Sequence, residues 1–378
     1  MSPQITTRRF PWGLAATAAT LTLFGISMVV SSTARETEPG LAPEAKAQII
    51  WWLLACGGCL VAWKVPFSWW KELAVPGWIL AFLIILTMTV LAGTVLVPNI
   101  KGLSNWIVVG PVRVQPVEFI KLAALLATAR LMTVPGYDAH RFAHVLLALS
   151  VAGLPAILLA RTQDLGSALT FIPMVTGILL VAGLSMRHLA ILAIITVVIG
   201  GVGYHFLPKD GMKSYQYKRI QAWLHPDDYA MTEGYQTARS VSAIGSGQIF
   251  GKGWEQGDQN RLGMIPEKHT DLIFAVIGEE LGLLGCVGVL VMYATFAWVG
   301  LANASHARDP VGRYVCVGYI SLIVGQASIN IAVATGVIPV TGVPLPFFSY
   351  GGSSLFGTWL GLGIAMSGAV DKMTVTTA

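Results

Sequence analysis

Apolar runs of about twenty residues, cut by short polar, Pro-containing or charged stretches, recur along almost the whole chain. Ten can be marked, at 11–32, 47–64, 75–98, 114–132, 142–160, 165–184, 187–207, 271–302, 312–335 and 350–370. Such runs suit a hydrocarbon core about 30 Å thick, where only helices or closed barrels satisfy the backbone. The pattern predicts an all-α fold, a polytopic transmembrane helical bundle of about ten spans, as a single domain over 1–378. The one long polar segment, 208–270, lies between spans seven and eight. Its aromatic, charged and Gly-rich mix predicts short helices lying against the bundle, and loops of this length usually carry function.

Composition agrees. The 378 residues are 54% hydrophobic and 11% charged, with mean hydropathy +0.68, against about 25% charged in soluble domains. Arg8 and Arg9 precede the first run, but it is too long for a signal core and no convincing cleavage site follows, so it reads as a retained span. Cys56, Cys59, Cys286 and Cys316 all lie in apolar runs. The Cys56-Gly-Gly-Cys59 spacing of a redox motif lacks its strand–helix context, so these are small buried residues. No internal repeat is visible.

Charge sets the orientation. With the N-terminus cytoplasmic, the inner side carries Arg8, Arg9, Lys64, Lys71, Arg130, Arg141, Arg187, Arg308, Arg313 and Lys372. The short outer loops carry Arg35, Lys46, Lys101, Arg113 and Arg161. That asymmetry predicts both termini in the cytoplasm and segment 208–270 outside.

Ionisable groups within spans are expensive and mark function by default. Glu118 and Lys121 stand three apart on one helix face, either as a structural ion pair or with Lys121 turned to an anionic lipid head. Arg161 and Asp164 form a short outer connection, either a solvated turn or the lining of a cleft. Glu279 and Glu280 point about 100° apart on span eight, so at least one faces the interior. Asp271 opens that span, as an N-cap or as a reactive group at its mouth. Glu267, His269 and Asp271 alternate, a weak metal pattern. Gly245-Ser-Gly-Gln-Ile-Phe-Gly-Lys-Gly253 has the wrong spacing for a phosphate loop, and reads as a Gly-rich turn at the membrane surface. Gly336 to Ser354 holds three prolines among glycines. It cannot continue a helix, and irregular backbone at that depth must line a cavity or be covered by protein.

Those last residues resemble the SEDS family of bacterial shape, elongation, division and sporulation proteins (RodA, FtsW, SpoVE), most closely its RodA branch. The most specific stretch is Val340-Thr-Gly-Val-Pro-Leu-Pro-Phe-Phe-Ser-Tyr-Gly-Gly-Ser-Ser354. Gln326 to Asn330, Gly336, Gly234-Tyr-Gln, Ala243 to Gly247, Gly251-Lys-Gly253, Pro266 to Asp271 and Glu279-Glu-Leu-Gly282 also fit. Upstream, so do Trp106, Gln115-Pro116 and Asp164-Leu-Gly166. Departures stand at Val117, where the family usually has Ser, at Arg161-Thr-Gln-Asp164 in place of Lys-Gln-Pro-Asp, and at Gly257-Asp-Gln259 in place of Gly-Thr-Gln.

The resemblance implies a peptidoglycan glycosyltransferase of the bacterial inner membrane that polymerises lipid II and releases undecaprenyl pyrophosphate. It implies a class B penicillin-binding protein (a transpeptidase) and other elongation-complex membrane proteins as partners, and no nucleic acid. Asp271 matches the catalytic aspartate, and Trp106, Glu118, Lys121 and Asp164 match residues important for activity. Ser349 joins them as a substrate-binding candidate. The reaction needs a base at a sugar hydroxyl and cations at the leaving group. Asp271 suits the first, and Lys121, Arg161, Arg219 and Arg239 are candidates for the second. A divalent cation, magnesium or manganese, is compatible with oxygen ligands there. The alternatives are a lipid flippase, against which stands the missing repeat, and a non-catalytic scaffold that activates a partner.

Overall fold

The computed structural model describes residues 5–8, 10–34, 40–98, 106–109, 112–162, 164–205, 215–229, 231–369 and 372–375. Arg9, Arg35, Lys101, Gln163 and residues 208–214 of the polar segment lie outside them. In chain order come β1 (Ile5–Arg8), α1 (Trp12–Thr33), α2 (Pro43–Lys64), α3 (Phe67–Val90), β2 (Ile107–Val109), β3 (Val112–Val114), α4 (Val117–Leu131) and α5 (Phe142–Arg161). There follow α6 (Leu165–Leu169), α7 (Phe171–Val181), α8 (Met186–His205), α9 (Tyr215–Leu224), α10 (Tyr235–Ser246) and α11 (Asp258–Arg261). The chain closes with α12 (Ile273–Ser305), α13 (Pro310–Ala334), α14 (Gly352–Ala369) and β4 (Lys372–Val375).

Six of the described helices, α1, α2, α3, α5, α12 and α13, are long and apolar enough to cross a membrane. Large apolar side chains stand exposed on several of them, such as Leu53, Val61, Leu80, Ile157, Leu290 and Val291. In a chain this apolar they face lipid, so the protein is a multi-pass membrane protein. The interior is built by α4, α13 and α14, whose residues are mostly buried. Helix α14 packs on α2, α13 on α7 and on α12, and α3 on α4. Glycines along α14 let these neighbours approach closely, as small residues do between membrane helices.

Three spans differ from the sequence pattern. The third begins at Phe67 rather than 75, since Pro66 starts the helix and Pro76 is accommodated inside it. The sixth is two helices that meet at Thr170. Pro173 supplies no N–H for the Leu169 carbonyl and its ring crowds that oxygen. The eighth is interrupted at Gly282, whose backbone (φ 64°, ψ −159°) is not helical.

Strand β1 pairs antiparallel with β4, so both described ends of the chain lie at the same end of the bundle. Near it are the ion pair Lys71–Asp309 (2.6 Å) and the bond from Ser367 to the Val65 carbonyl. The opposite end gathers the N-termini of α4, α12 and α14 and the C-termini of α1 and α13, as the contacts described next establish.

Candidate functional site

The irregular segment 336–351 runs across that opposite end, and the buried charged and amide side chains attach to it. Asn330, 1% exposed, donates from Nδ2 to the carbonyls of Asp271 and Val343, both at 2.7 Å. The same amide therefore fixes the residue preceding α12 against the wall. Gly342 (φ +74°) stands beside the Asp271 carboxylate, and a Cβ there would lie 3.6 Å from Oδ2. The α12 N-cap is Leu272 and no side chain caps it, so the N-cap reading of Asp271 does not hold. Its carboxylate lies against the wall instead.

One turn further, Ser349 Oγ donates to the Thr270 carbonyl (2.5 Å) and accepts from Leu345 N (2.8 Å). Tyr350 N donates to the His269 carbonyl (2.8 Å). Gln48, fully buried in α2, closes the turn by donating to Ser349 O (3.0 Å) and accepting from Gly351 N (3.3 Å). Ser349 is thus the clip that holds the Asp271 approach to the wall.

Glu118 and Lys121 form a buried ion pair at 2.9 Å. Lys121 also donates to Gln326 Oε1 (2.9 Å), whose Nε2 donates to the Pro344 carbonyl (2.9 Å). Through Gln326 the buried pair also reaches the wall. Asp164 accepts from Ser167 N at 3.0 Å as the N-cap of α6 and lies within electrostatic reach of Glu118. Gly166 abuts the Thr341 carbonyl, 2.4 Å from an ideal Cβ, which brings the Asp164 turn to the same backbone. Arg219 Nη1 donates to Val340 O (2.8 Å), and Trp223 donates to Gly336 O (3.1 Å).

Not every candidate joins this cluster. Arg161 is exposed in the last turn of α5, where a cation complements the helix dipole. Arg239 stacks over Tyr235 of its own helix, 5.1 Å from the ring centre. Trp106 is half-buried at the start of the β2–β3 hairpin. Glu267 accepts from Thr270 Oγ1 (3.1 Å) and His269 packs its ring against Tyr350. Among the described residues no three His, Cys, Asp or Glu side chains converge as a metal site.

Glu279 and Glu280, both wholly buried, turn out to brace the polar segment. Glu279 pairs with Lys252 (2.8 Å) and accepts from Gln259 N (2.8 Å) and Asn260 N (3.0 Å). Glu280 accepts from Ser31 Oγ (2.5 Å) and Asn260 Nδ2 (2.7 Å). Lys268 donates to Asn260 O (2.6 Å). Burial holds its ammonium below the usual lysine range, against the opposing pull of Glu280 and Glu279. The Gly-rich stretch fills the break in α12. Lys252 N and Gly253 N donate to the carbonyls of Glu279 and Glu280 (3.0 and 2.9 Å), and Leu283 N and Leu284 N donate back to Gln248 O and Ile249 O (2.8 and 3.2 Å). The carbonyls of Glu279 and Glu280 and the N–H groups of Leu283 and Leu284, freed by the break, are therefore satisfied within protein, as burial requires.

Sequence reasoning missed Gln48, Ser31, Asn260 and Thr341. The first two did carry a signal, as polar residues inside or ending apolar runs that need a partner.

A charged and hydrogen-bonded cluster at one end of an apolar bundle defines a polytopic membrane protein with its chemistry at one face. Residues 11–373 match the family described as "Cell cycle protein" (FtsW/RodA/SpoVE). The chain belongs to this family. It is 34% identical over 362 residues to the "Probable peptidoglycan glycosyltransferase FtsW" of Geobacter metallireducens, covering 93% of this chain and 92% of that one. It is 36% identical over 267 residues to the "Peptidoglycan glycosyltransferase MrdB" of Escherichia coli, 71% of each chain. A solved structure described as "Structural coordination of polymerization and crosslinking by a peptidoglycan synthase complex" superposes with a TM-score of 0.76 at 28% identity, covering 94% of this chain and 96% of that chain. Both relatives match at similar identity, so the family is set while its RodA branch is not distinguished from the others.

Proposed function

We propose that this protein is a peptidoglycan glycosyltransferase that polymerises lipid II, with Asp271 as the general base. Relatives named for that activity support the reaction class. The observation that supports the residue is the Asp271 carboxylate set beside Gly342, in a wall that also ties down Lys121 and Asp164. Asp271 takes the proton from the sugar 4-hydroxyl. That oxygen attacks the anomeric carbon of the growing chain, and the bond to the polyprenyl pyrophosphate breaks with its electron pair leaving on the phosphate oxygen. Lys121 and Arg219 supply positive charge near the leaving group. A magnesium or manganese ion, where one takes part, would be held from the protein side by Asp271 and would supply positive charge to the leaving pyrophosphate.

The family resemblance favours elongation as the process served. The partner is a class B penicillin-binding transpeptidase, a reading supported by the similar synthase complex. The end bearing Lys64, Lys71 and the paired termini is cytoplasmic on the positive-inside rule, and the Asp271 end faces outward. The test is polymer formation from purified lipid II in proteoliposomes. Asp271→Asn is expected to abolish polymer while leaving expression and melting unchanged. Polymer at the wild-type level from that variant removes Asp271 from the mechanism, and lipid II crossing intact vesicles without polymer favours a flippase.

A further inference from the structure

The Asp271 end of the bundle also holds an open cavity of about 410 Å³, lined by Thr33, Glu44, Arg261, Lys268 and His269 among others. It lies between the end of α1, the start of α2, the end of α11 and the segment that leads into Asp271. Two residues of chain span at most about 7 Å, so His269 keeps this cavity close to Asp271. The segment is pinned there, since Tyr350 N donates to the His269 carbonyl and Ser349 Oγ to that of Thr270. Lys268 Nζ donates to the carbonyl of Asn260 (2.6 Å), the residue before Arg261, which ties both cations to one rim. An ammonium has two further N–H groups to offer, and Arg261 is exposed. Thr33 donates its hydroxyl hydrogen to the Val29 carbonyl (2.7 Å), which leaves its lone pairs for the cavity. Glu44 adds a carboxylate.

We infer that this cavity binds the short peptide carried by the lipid-linked disaccharide, with the peptide carboxylates on Arg261 and Lys268. This rests on the glycosyltransferase reading above and extends it from the sugars to their substituent. The lining offers cations for carboxylates, hydroxyl lone pairs for amide N–H groups, and the Glu44 carboxylate for an amine. A peptide with more carboxylates than amines matches all three. A pyrophosphate does not, because it presents acceptors alone and would meet Thr33 with lone pairs and Glu44 with like charge. Lys121 and Arg219 attach to the wall through Gln326 and the Val340 carbonyl, so the two anionic parts of the substrate meet separate cations. In lipid II the peptide hangs from the sugar that bears the pyrophosphate, within one disaccharide of the hydroxyl that Asp271 deprotonates. A peptide anchored here holds the sugars in register with the base.

Arg261→Gln is the primary variant, because an exposed side chain can be neutralised with little effect on melting temperature. With native lipid II its KM is expected to rise roughly five- to tenfold, the equivalent of one hydrogen bond. Lys268→Gln, whose amide can still donate to the Asn260 carbonyl, should show the same. The decisive arm uses a lipid-linked disaccharide without the peptide, its lactyl group capped as a neutral amide. The wild type should bind this lipid more weakly by at least the same factor, and neither variant should lose anything further with it. A loss of equal size on the peptide-free lipid would assign the two cations to the pyrophosphate or the sugars and overturn the inference. So would a wild-type KM for native lipid II in both variants. Equilibrium binding of the two lipids to Asp271→Asn in nanodiscs separates this inference from the reading it rests on. If Asp271→Asn still polymerises, the base assignment fails, yet a preference of at least roughly fivefold for the peptide-bearing lipid supports the cavity. Equal affinity for the two lipids overturns the cavity assignment whatever Asp271 does.

Discussion

Gly251 and Gly282 meet backbone to backbone, and a Cβ added to Gly282 would stand 2.4 Å from the Gly251 nitrogen. Both residues have positive φ, 78° and 64°. The contact closes a break in a membrane helix with a strip of the polar segment, so the geometry of that segment depends on two residues without side chains. Gly282 occupies a backbone region that is essentially restricted to glycine.

Gly282→Ala is therefore expected to destabilise the protein by about 2–6 kcal/mol, the sum of backbone strain and overpacking. The loss should be local first. Limited proteolysis should cut within 245–262 in the variant under conditions that leave the wild type intact, and polymerisation should fall with it. An unchanged cleavage pattern and melting temperature would show that the strip does not depend on this contact.

Glu279 provides the second tie. Glu279→Ala removes the acceptor of Lys252, Gln259 N and Asn260 N together. Since Lys252 is partly exposed, at 25% of its side chain, and keeps its pairing with Asp258 at 3.1 Å, the loss comes chiefly from the two stranded amides, about 2–3 kcal/mol. Lys252→Met alone leaves a buried carboxylate without its cation and is expected to be at least as harmful. A double-mutant cycle of Lys252→Met with Glu279→Gln, read by thermal unfolding in detergent, should show coupling above 0.5 kcal/mol, the threshold for residues in contact.

Much of this site was legible in the chain because buried charge is expensive. Glu118, Lys121, Asp164 and Asp271 drew attention as ionisable groups in or beside apolar runs, and all four lie at or near the 336–351 wall. The Pro- and Gly-rich stretch announced that wall, since it can form neither helix nor lipid-exposed coil. The break at Gly282 was not legible. One glycine in an apolar run is compatible with a continuous helix, and the partners that stabilise the break are backbone groups, which carry no residue signature. Glu279 and Glu280 illustrate the same limit: the spacing required at least one of them to face the interior, but the burial of both and their role as braces depend on Asn260 and Lys252, which only the fold brings near.

Whether Lys121 serves the fold or the pyrophosphate can be decided by neutralising its partner. Lys121→Met strands the Glu118 carboxylate in the interior, and breaking a buried pair this way typically costs about 3–5 kcal/mol. Glu118→Gln together with Lys121→Met removes both charges at nearly constant volume, so folding is expected to recover to within about 1 kcal/mol of the wild type. Polymerisation should stay at least tenfold down in the recovered double variant, because the cation itself is missing from the leaving-group end. Recovery of activity along with stability would assign Lys121 to the fold alone.

A divalent cation, if used, should bind with the substrate and not before it. Magnesium demands six oxygens in near-octahedral geometry and usually keeps several waters, taking one or two carboxylates and the rest from phosphate. Asp271 offers one carboxylate, and among the described residues no cluster of three acidic, His or Cys side chains stands ready to complete the shell. Manganese titrated into the protein alone, followed by electron paramagnetic resonance, should therefore show weak binding. Adding a polyprenyl pyrophosphate should tighten that binding at least tenfold, and Asp271→Asn should cancel the increase. In the polymerisation assay chelation by EDTA should stop product formation, with magnesium restoring it. Full activity after exhaustive chelation would put the neutralisation of the leaving group on the protein's own cations, and Lys121→Met or Arg219→Met should then lower the rate without any metal present.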